Sequence, residues 1–87
     1  MSVQEYIERL EYKGFVLGND VKGFIYFGKE STGAPDALVN AAIEITLKAQ
    51  KTFDGSFYIA LLETLNEKKL TTRKQALQFA EECQLLV

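Results

Sequence analysis

The segment that comes nearest to a known chemical motif is a glycine–lysine stretch at residues 23–30. It matches most of the phosphate-loop pattern G-x-x-x-x-G-K-[ST]. The last position of that pattern needs a hydroxyl group for magnesium, but Glu30 supplies a negative charge that would repel phosphate. The residues between Gly23 and Gly28 are bulky and apolar, whereas a phosphate cradle needs closely approaching backbone amides. We therefore predict that this segment packs against other apolar residues and binds no nucleotide.

Side chains for catalysis or metal binding are scarce. The chain has no histidine and one cysteine, Cys83, which excludes Ser–His and Cys–His pairs, a zinc site of Cys and His ligands, and an intrachain disulfide. Cys83 follows Glu81 and Glu82, whose charges disfavour a thiolate, so we predict a small buried thiol on the inner face of the last helix. Those two adjacent carboxylates point about 100° apart on a helix and do not converge. The sequence thus predicts no enzyme, no metal and no cofactor.

A cluster of cations near the end of the chain carries the second function hypothesis. Four of the ten Lys and Arg residues fall between positions 68 and 74, namely Lys68, Lys69, Arg73 and Lys74. Arg73 and Lys74 lie in the predicted first turn of a helix, where the macrodipole disfavours cations and no compensating residue is evident in the sequence. This patch could contact phosphates, which predicts a small nucleic-acid-associated regulator. The net charge of −2 makes nucleic acid the less favoured partner.

The aromatic content gives the leading function hypothesis. Ten aromatic residues in 87 are too many for so small a domain to bury together with an almost wholly apolar central helix. We predict that part of one set is exposed or meets a partner: Tyr12, Phe15, Tyr26, Phe27 and Phe57. The sequence therefore predicts a non-enzymatic protein–protein interaction or regulatory module, whose partner is another protein or a second copy in a homodimer.

Composition and chain length limit the class of protein. An apolar fraction of 47% with 25% charged residues is typical of a globular domain, and 87 residues form one domain, 1–87. The longest apolar run, residues 24–27, is far shorter than the roughly 20 residues that span a bilayer, so no membrane association is predicted. Residues 1–5 are polar and acidic, unlike a secretory signal. With a single free thiol, this predicts the reducing cytoplasm.

The residues named above must be positioned by helices, and most of the helix signals in the sequence are clear. Capping boxes at Ser2/Glu5 and Thr72/Gln75 predict helices over about 2–13 and from 73 to about 84. Residues 37–51 are apolar except for a narrow polar stripe, which predicts a buried central helix. A further helix is predicted to begin after Asp54, which is a suitable N-cap residue.

The glycine-rich stretch 14–33 leaves two alternatives. One is a helix over about 20–30 with Asn19 or Asp20 as N-cap, and the other is a β-hairpin at about 15–27. Glycine weakens the helix by about 1 kcal/mol per interior position, but residues 24–27 lack the alternation of a half-exposed strand. We favour an all-α single domain of four to five short helices, with an α+β domain containing one hairpin as the alternative.

Overall fold

Five α-helices make up the regular structure of residues 1–86, the part of the chain that the computed structural model describes. In chain order they are α1 (Val3–Tyr12), α2 (Asn19–Thr32), α3 (Asp36–Gln50), α4 (Gly55–Glu67) and α5 (Arg73–Glu82). Residues 1–86 contain no β-strand, so the all-α prediction is confirmed and the hairpin alternative is wrong. None of the five helices combines the length and apolar character that a membrane-spanning helix needs.

The central helix α3 organises the packing. It packs against each of the other four helices, whereas α1 packs mainly against α3. Most apolar side chains of α3 are buried, as the sequence pattern predicts, while Ala37 at its start is exposed and Leu47 and Ala49 near its end are half-buried. Its one buried polar side chain, Thr46, donates a hydrogen bond to the Ala42 carbonyl oxygen at 2.7 Å. Since a helix that is apolar on most sides is buried on most sides, α3 forms the centre of the core and the other four helices pack around it.

The helix α2 forms despite its two interior glycines, and tertiary packing requires one of them, Gly28. The Tyr58 hydroxyl of α4 donates a hydrogen bond to the Ile25 carbonyl oxygen at 2.8 Å. A Cβ atom at Gly28 would lie 2.8 Å from Cε2 of the Tyr58 ring, so only glycine allows the ring this close. Burial of Ile25 and Tyr58 offsets the intrinsic cost of glycine in a helix. The helix begins after Gly18 as N-cap, one or two residues earlier than predicted.

The ends of α1 and α5 follow the sequence signals. Ser2 and Glu5 form the predicted capping box, as do Thr72 and Gln75. After α1 the backbone turns at Gly14 with φ 104°, and its N–H donates to the Glu11 carbonyl oxygen at 3.0 Å. This is a Schellman-type stop, which needs a residue that tolerates the left-handed region.

Cys83 departs from the prediction of a buried thiol. It is exposed and lies at the C-cap of α5, directly after the last helical residue, Glu82. The buried stripe of α5 ends at Ala80. Gln84 then takes a positive φ of 59° and leads the chain out of the helix, so Cys83 has no further turn against which to pack.

Candidate functional site

A groove lies between α1 and α5, with α3 at its base. Its volume is about 400 Å³, and it opens to solvent. The apolar and aromatic part of its lining comes from Tyr6, Leu10, Phe15 and Leu47, and the charged part from Lys13, Glu44, Lys48 and Arg73. We call this feature the α1/α5 groove.

The electrostatic contacts in the groove are centred on Glu44 of α3. Its carboxylate accepts two hydrogen bonds from Arg73, at 2.8 Å from Nε and 2.7 Å from Nη2, and pairs with Lys48 Nζ at 3.0 Å. Hydrogen bonding from Arg73, with a smaller contribution from Lys48, holds the pKa of Glu44 below its ordinary value against the opposing effect of burial. A bidentate pair of this kind fixes the guanidinium in one orientation.

This contact corrects one premise of the sequence analysis. Arg73 occupies the first position of α5, where the helix dipole disfavours a cation, and the sequence offered no compensation. The compensation is Glu44, which is 29 residues away in sequence and belongs to another helix. The placement of Arg73 at this helix end therefore has a structural reason that needs no phosphate.

Tyr6, Glu44 and Arg73 also line a smaller adjoining cavity of about 290 Å³. Burial raises the pKa of Tyr6 to about 12, and the negative charge of Glu44 acts in the same direction. The phenol therefore keeps its proton at neutral pH. Within the smaller cavity Asn40 donates from Nδ2 to the Met1 carbonyl oxygen at 3.1 Å, while its buried Oδ1 has no hydrogen-bond partner within residues 1–86.

The side chains of the groove are better suited to binding a ligand than to proton transfer. Three cations and one carboxylate leave an excess of two positive charges in a chain whose net charge is −2. The Glu44 carboxylate is engaged by Arg73 and Lys48, which makes it a weak proton acceptor. No group of three or more His, Cys, Asp and Glu residues within positions 1–86 could hold a metal ion. The arrangement suits an anionic group beside an apolar one.

Residues 1–86 match a protein family described as a family of unknown function, DUF6123. The chain belongs to this family. The match spans all five helices and every residue of the α1/α5 groove. No curated protein and no solved structure matches the chain.

In this DUF6123 chain the predicted basic cluster is divided among different contacts. Arg73 binds Glu44, and the Lys68 ammonium lies 5.3 Å from the centroid of the Phe79 ring. Lys69 follows the end of α4 with φ 60°, and it and Lys74 are exposed. Two of the four cations thus already have partners within the protein, and the structure does not present four free cations together.

Four of the five predicted interaction residues are exposed in this chain. The exposed fractions are 94% for Tyr12, 43% for Phe15, 37% for Tyr26 and 59% for Phe27. Phe57 is half-buried instead, because it packs against the core and lines a separate apolar groove between α4 and α5.

Sequence reasoning missed two parts of this surface. Val16, beside Phe15, is 95% exposed and was not predicted. The role of Glu44 was also missed, although its position in the polar stripe of the apolar helix α3 was a usable signal. A carboxylate on a buried helix requires a partner, and Arg73 is that partner.

Proposed function

We propose that the protein is a non-enzymatic interaction module that binds another protein through the exposed apolar surface at the end of α1. The observation that carries this proposal is the exposure of three large side chains within five residues: Tyr12, Phe15 and Val16. Clustered exposed apolar side chains of this kind are typical of binding surfaces. We call these three residues the α1-end surface.

The backbone beneath this surface is ordered in a way that suits docking. The Phe15 N–H donates to the Leu10 carbonyl oxygen at 3.0 Å, which ties the segment after α1 to the helix itself. An ion pair of 2.9 Å between Glu11 and Lys22 joins the end of α1 to the start of α2. A partner would therefore meet a preformed surface and pay little conformational entropy on binding.

The cytoplasm is part of this proposal. Cys83 is an exposed, unpaired thiol, and such a group persists most readily in a reducing compartment. An exposed cysteine also supplies a handle for labelling that lies outside the α1-end surface.

Affinity capture of the tagged protein from its native lysate, with and without nuclease and analysed by mass spectrometry, tests the proposal. We expect a specific protein that survives nuclease, is lost with the double substitution Tyr12→Ser/Val16→Ser, and is retained with the control Lys74→Ser. Both altered residues of the test variant are almost fully exposed, so the fold should tolerate the change. Recovery that collapses on nuclease treatment, or capture unaffected by the double substitution, overturns the proposal.

Sedimentation equilibrium identifies the case in which the partner is a second copy. A homodimer through the α1-end surface has twice the 9.8 kDa mass of the chain and returns to that mass in the Tyr12→Ser/Val16→Ser variant. A wild-type protein that remains at 9.8 kDa at high concentration excludes a second copy as the partner and leaves a different protein to be identified by the capture experiment.

A further inference from the structure

We propose that the α1/α5 groove binds an acidic segment of the partner, with an apolar side chain of that segment inserted beside Phe15. This inference rests on the proposed function and names the chemistry of what is bound. Phe15 belongs both to the α1-end surface and to the lining of the groove, so one partner can contact both.

The charge distribution in the groove selects an acidic partner. Lys13 lines the groove, is exposed, and forms no ion pair with any carboxylate of residues 1–86. The side chains of Lys48 and Arg73 are 57% and 61% exposed even though both contact Glu44. Each of these two cations can therefore donate hydrogen bonds to a second carboxylate, supplied by the partner. Local positive charge in an acidic chain steers a negatively charged segment to this face rather than to the rest of the surface.

The apolar lining defines the second requirement of the ligand. Leu10 is buried, Leu47 is half-buried and Phe15 is partly exposed, so they form a wall against which an aliphatic or aromatic side chain can pack. The volume of about 400 Å³ lies within the ~300–1,000 Å³ typical of ligand clefts. Because the groove opens to solvent, it fits a side chain carried on a peptide.

A nucleic-acid strand fits this groove less well than an acidic peptide. The lining carries an excess of only two positive charges, whereas a phosphate backbone carries a negative charge at every nucleotide, and that backbone has no apolar group to pack against Leu10 and Phe15. A peptide can instead direct its carboxylates to Lys13 and Lys48 and place its apolar residue near the centre. We therefore assign the groove to a peptide.

Selection from a random peptide display library against the full chain tests the inference. We expect enrichment of peptides in which Asp or Glu flank one Leu, Ile, Phe or Trp. The substitution pair Lys13→Glu/Lys48→Glu should weaken binding of an enriched peptide by about tenfold or more, because reversed charges would face its carboxylates. The matched pair Lys69→Glu/Lys74→Glu, which makes the same charge change outside the groove, should leave affinity within about twofold. Circular dichroism of both variants verifies that the fold is retained.

Several results overturn the inference. These are the absence of any enriched peptide, enrichment of neutral or basic peptides, and binding that Lys13→Glu/Lys48→Glu leaves unchanged. Binding of single-stranded DNA or RNA that this pair abolishes reassigns the groove to nucleic acid. Peptides that bind without charge dependence, but are lost with Tyr12→Ser/Val16→Ser, refute the acidic ligand and leave the proposed function standing.

Discussion

At the scale of single residues, the contact between Glu44 and Arg73 explains why each is tolerated at its position. A carboxylate on the buried helix α3 and a cation at the start of α5 each break a local rule when considered alone. Their two hydrogen bonds, at 2.7 and 2.8 Å, remove both conflicts and join α5 to α3 across the base of the groove. Two unfavourable positions at a distance in sequence can therefore indicate a contact, and neither needs to mark a functional site.

Replacement of Glu44 by glutamine should destabilise the protein by about 0.5–1.5 kcal/mol at pH 7, since Arg73 is largely exposed and solvent screens part of the pair. The folded-state pKa of Glu44 is depressed, so its contribution is fully present above the ordinary value of 4.5 and is lost as the pH falls through the folded pKa. The difference between wild type and Glu44→Gln should thus shrink below about pH 4.5. Urea unfolding across pH 3–7 measures it.

A matched control for this prediction is Glu81→Gln. Glu81 is exposed and forms no ion pair within residues 1–86, so its replacement should change stability little at any pH. A loss for Glu44→Gln that is the same at pH 7 and pH 3 contradicts the electrostatic account.

At the scale of secondary structure, α2 shows what local signals can and cannot predict. Helix ends with a capping side chain, such as Ser2, Asp54 and Thr72, were predicted correctly because those signals act over three or four residues. The start of α2 at Gly18 carries no side-chain cap and was misplaced. The glycines of α2 disfavour a helix when the sequence is considered alone. The structure explains one of them, because Gly28 contacts Tyr58, thirty positions further along the chain.

The two interior glycines of α2 should respond to alanine in opposite ways. Gly28→Ala places a methyl group 2.8 Å from Tyr58 Cε2 and 3.0 Å from Ile59 Cδ1, and should destabilise by about 1–3 kcal/mol. Gly23→Ala meets nothing within 4 Å and should stabilise by about 0.5–1 kcal/mol through a lower unfolded-state entropy. Chemical denaturation of both variants provides the comparison. Changes of the same sign in the free energy of unfolding would show that the close approach of Tyr58 to Gly28 does not determine the effect of a substitution there.

At the scale of the whole molecule, the fold class was more predictable than the groove. Helical periodicity and caps are local, so the sequence predicts an all-α domain without knowledge of how the helices meet. The groove requires Tyr6, Glu44 and Arg73 to converge from three helices, and no spacing in the sequence encodes that convergence. The aromatic content predicted that part of a set of five aromatic residues would be exposed, but it could not indicate that Phe57 would be the half-buried member.

The packing of all helices on α3 predicts an uneven pattern of hydrogen exchange. Amides of residues 41–46, in the centre of α3, should open only on global unfolding and exchange most slowly. Those of α1, which packs mainly against α3, should exchange about tenfold faster or more, through local detachment. Hydrogen–deuterium exchange by NMR measures both sets. Equal protection of α1 and α3 contradicts this order.

The seating of the Tyr58 ring between α2 and α4 gives the protein an intrinsic optical reporter. The chain has no tryptophan, so its near-ultraviolet absorbance and fluorescence come mainly from four tyrosines. The Tyr58 ring is completely enclosed and its hydroxyl is bound to a helix carbonyl, while Tyr12 lies almost entirely in water in the folded state. On unfolding, the spectral change should therefore originate mainly from Tyr58, with a smaller part from the half-buried Tyr6. Loss of the enclosed site of Tyr58 between α2 and α4 can thus be followed without an added dye.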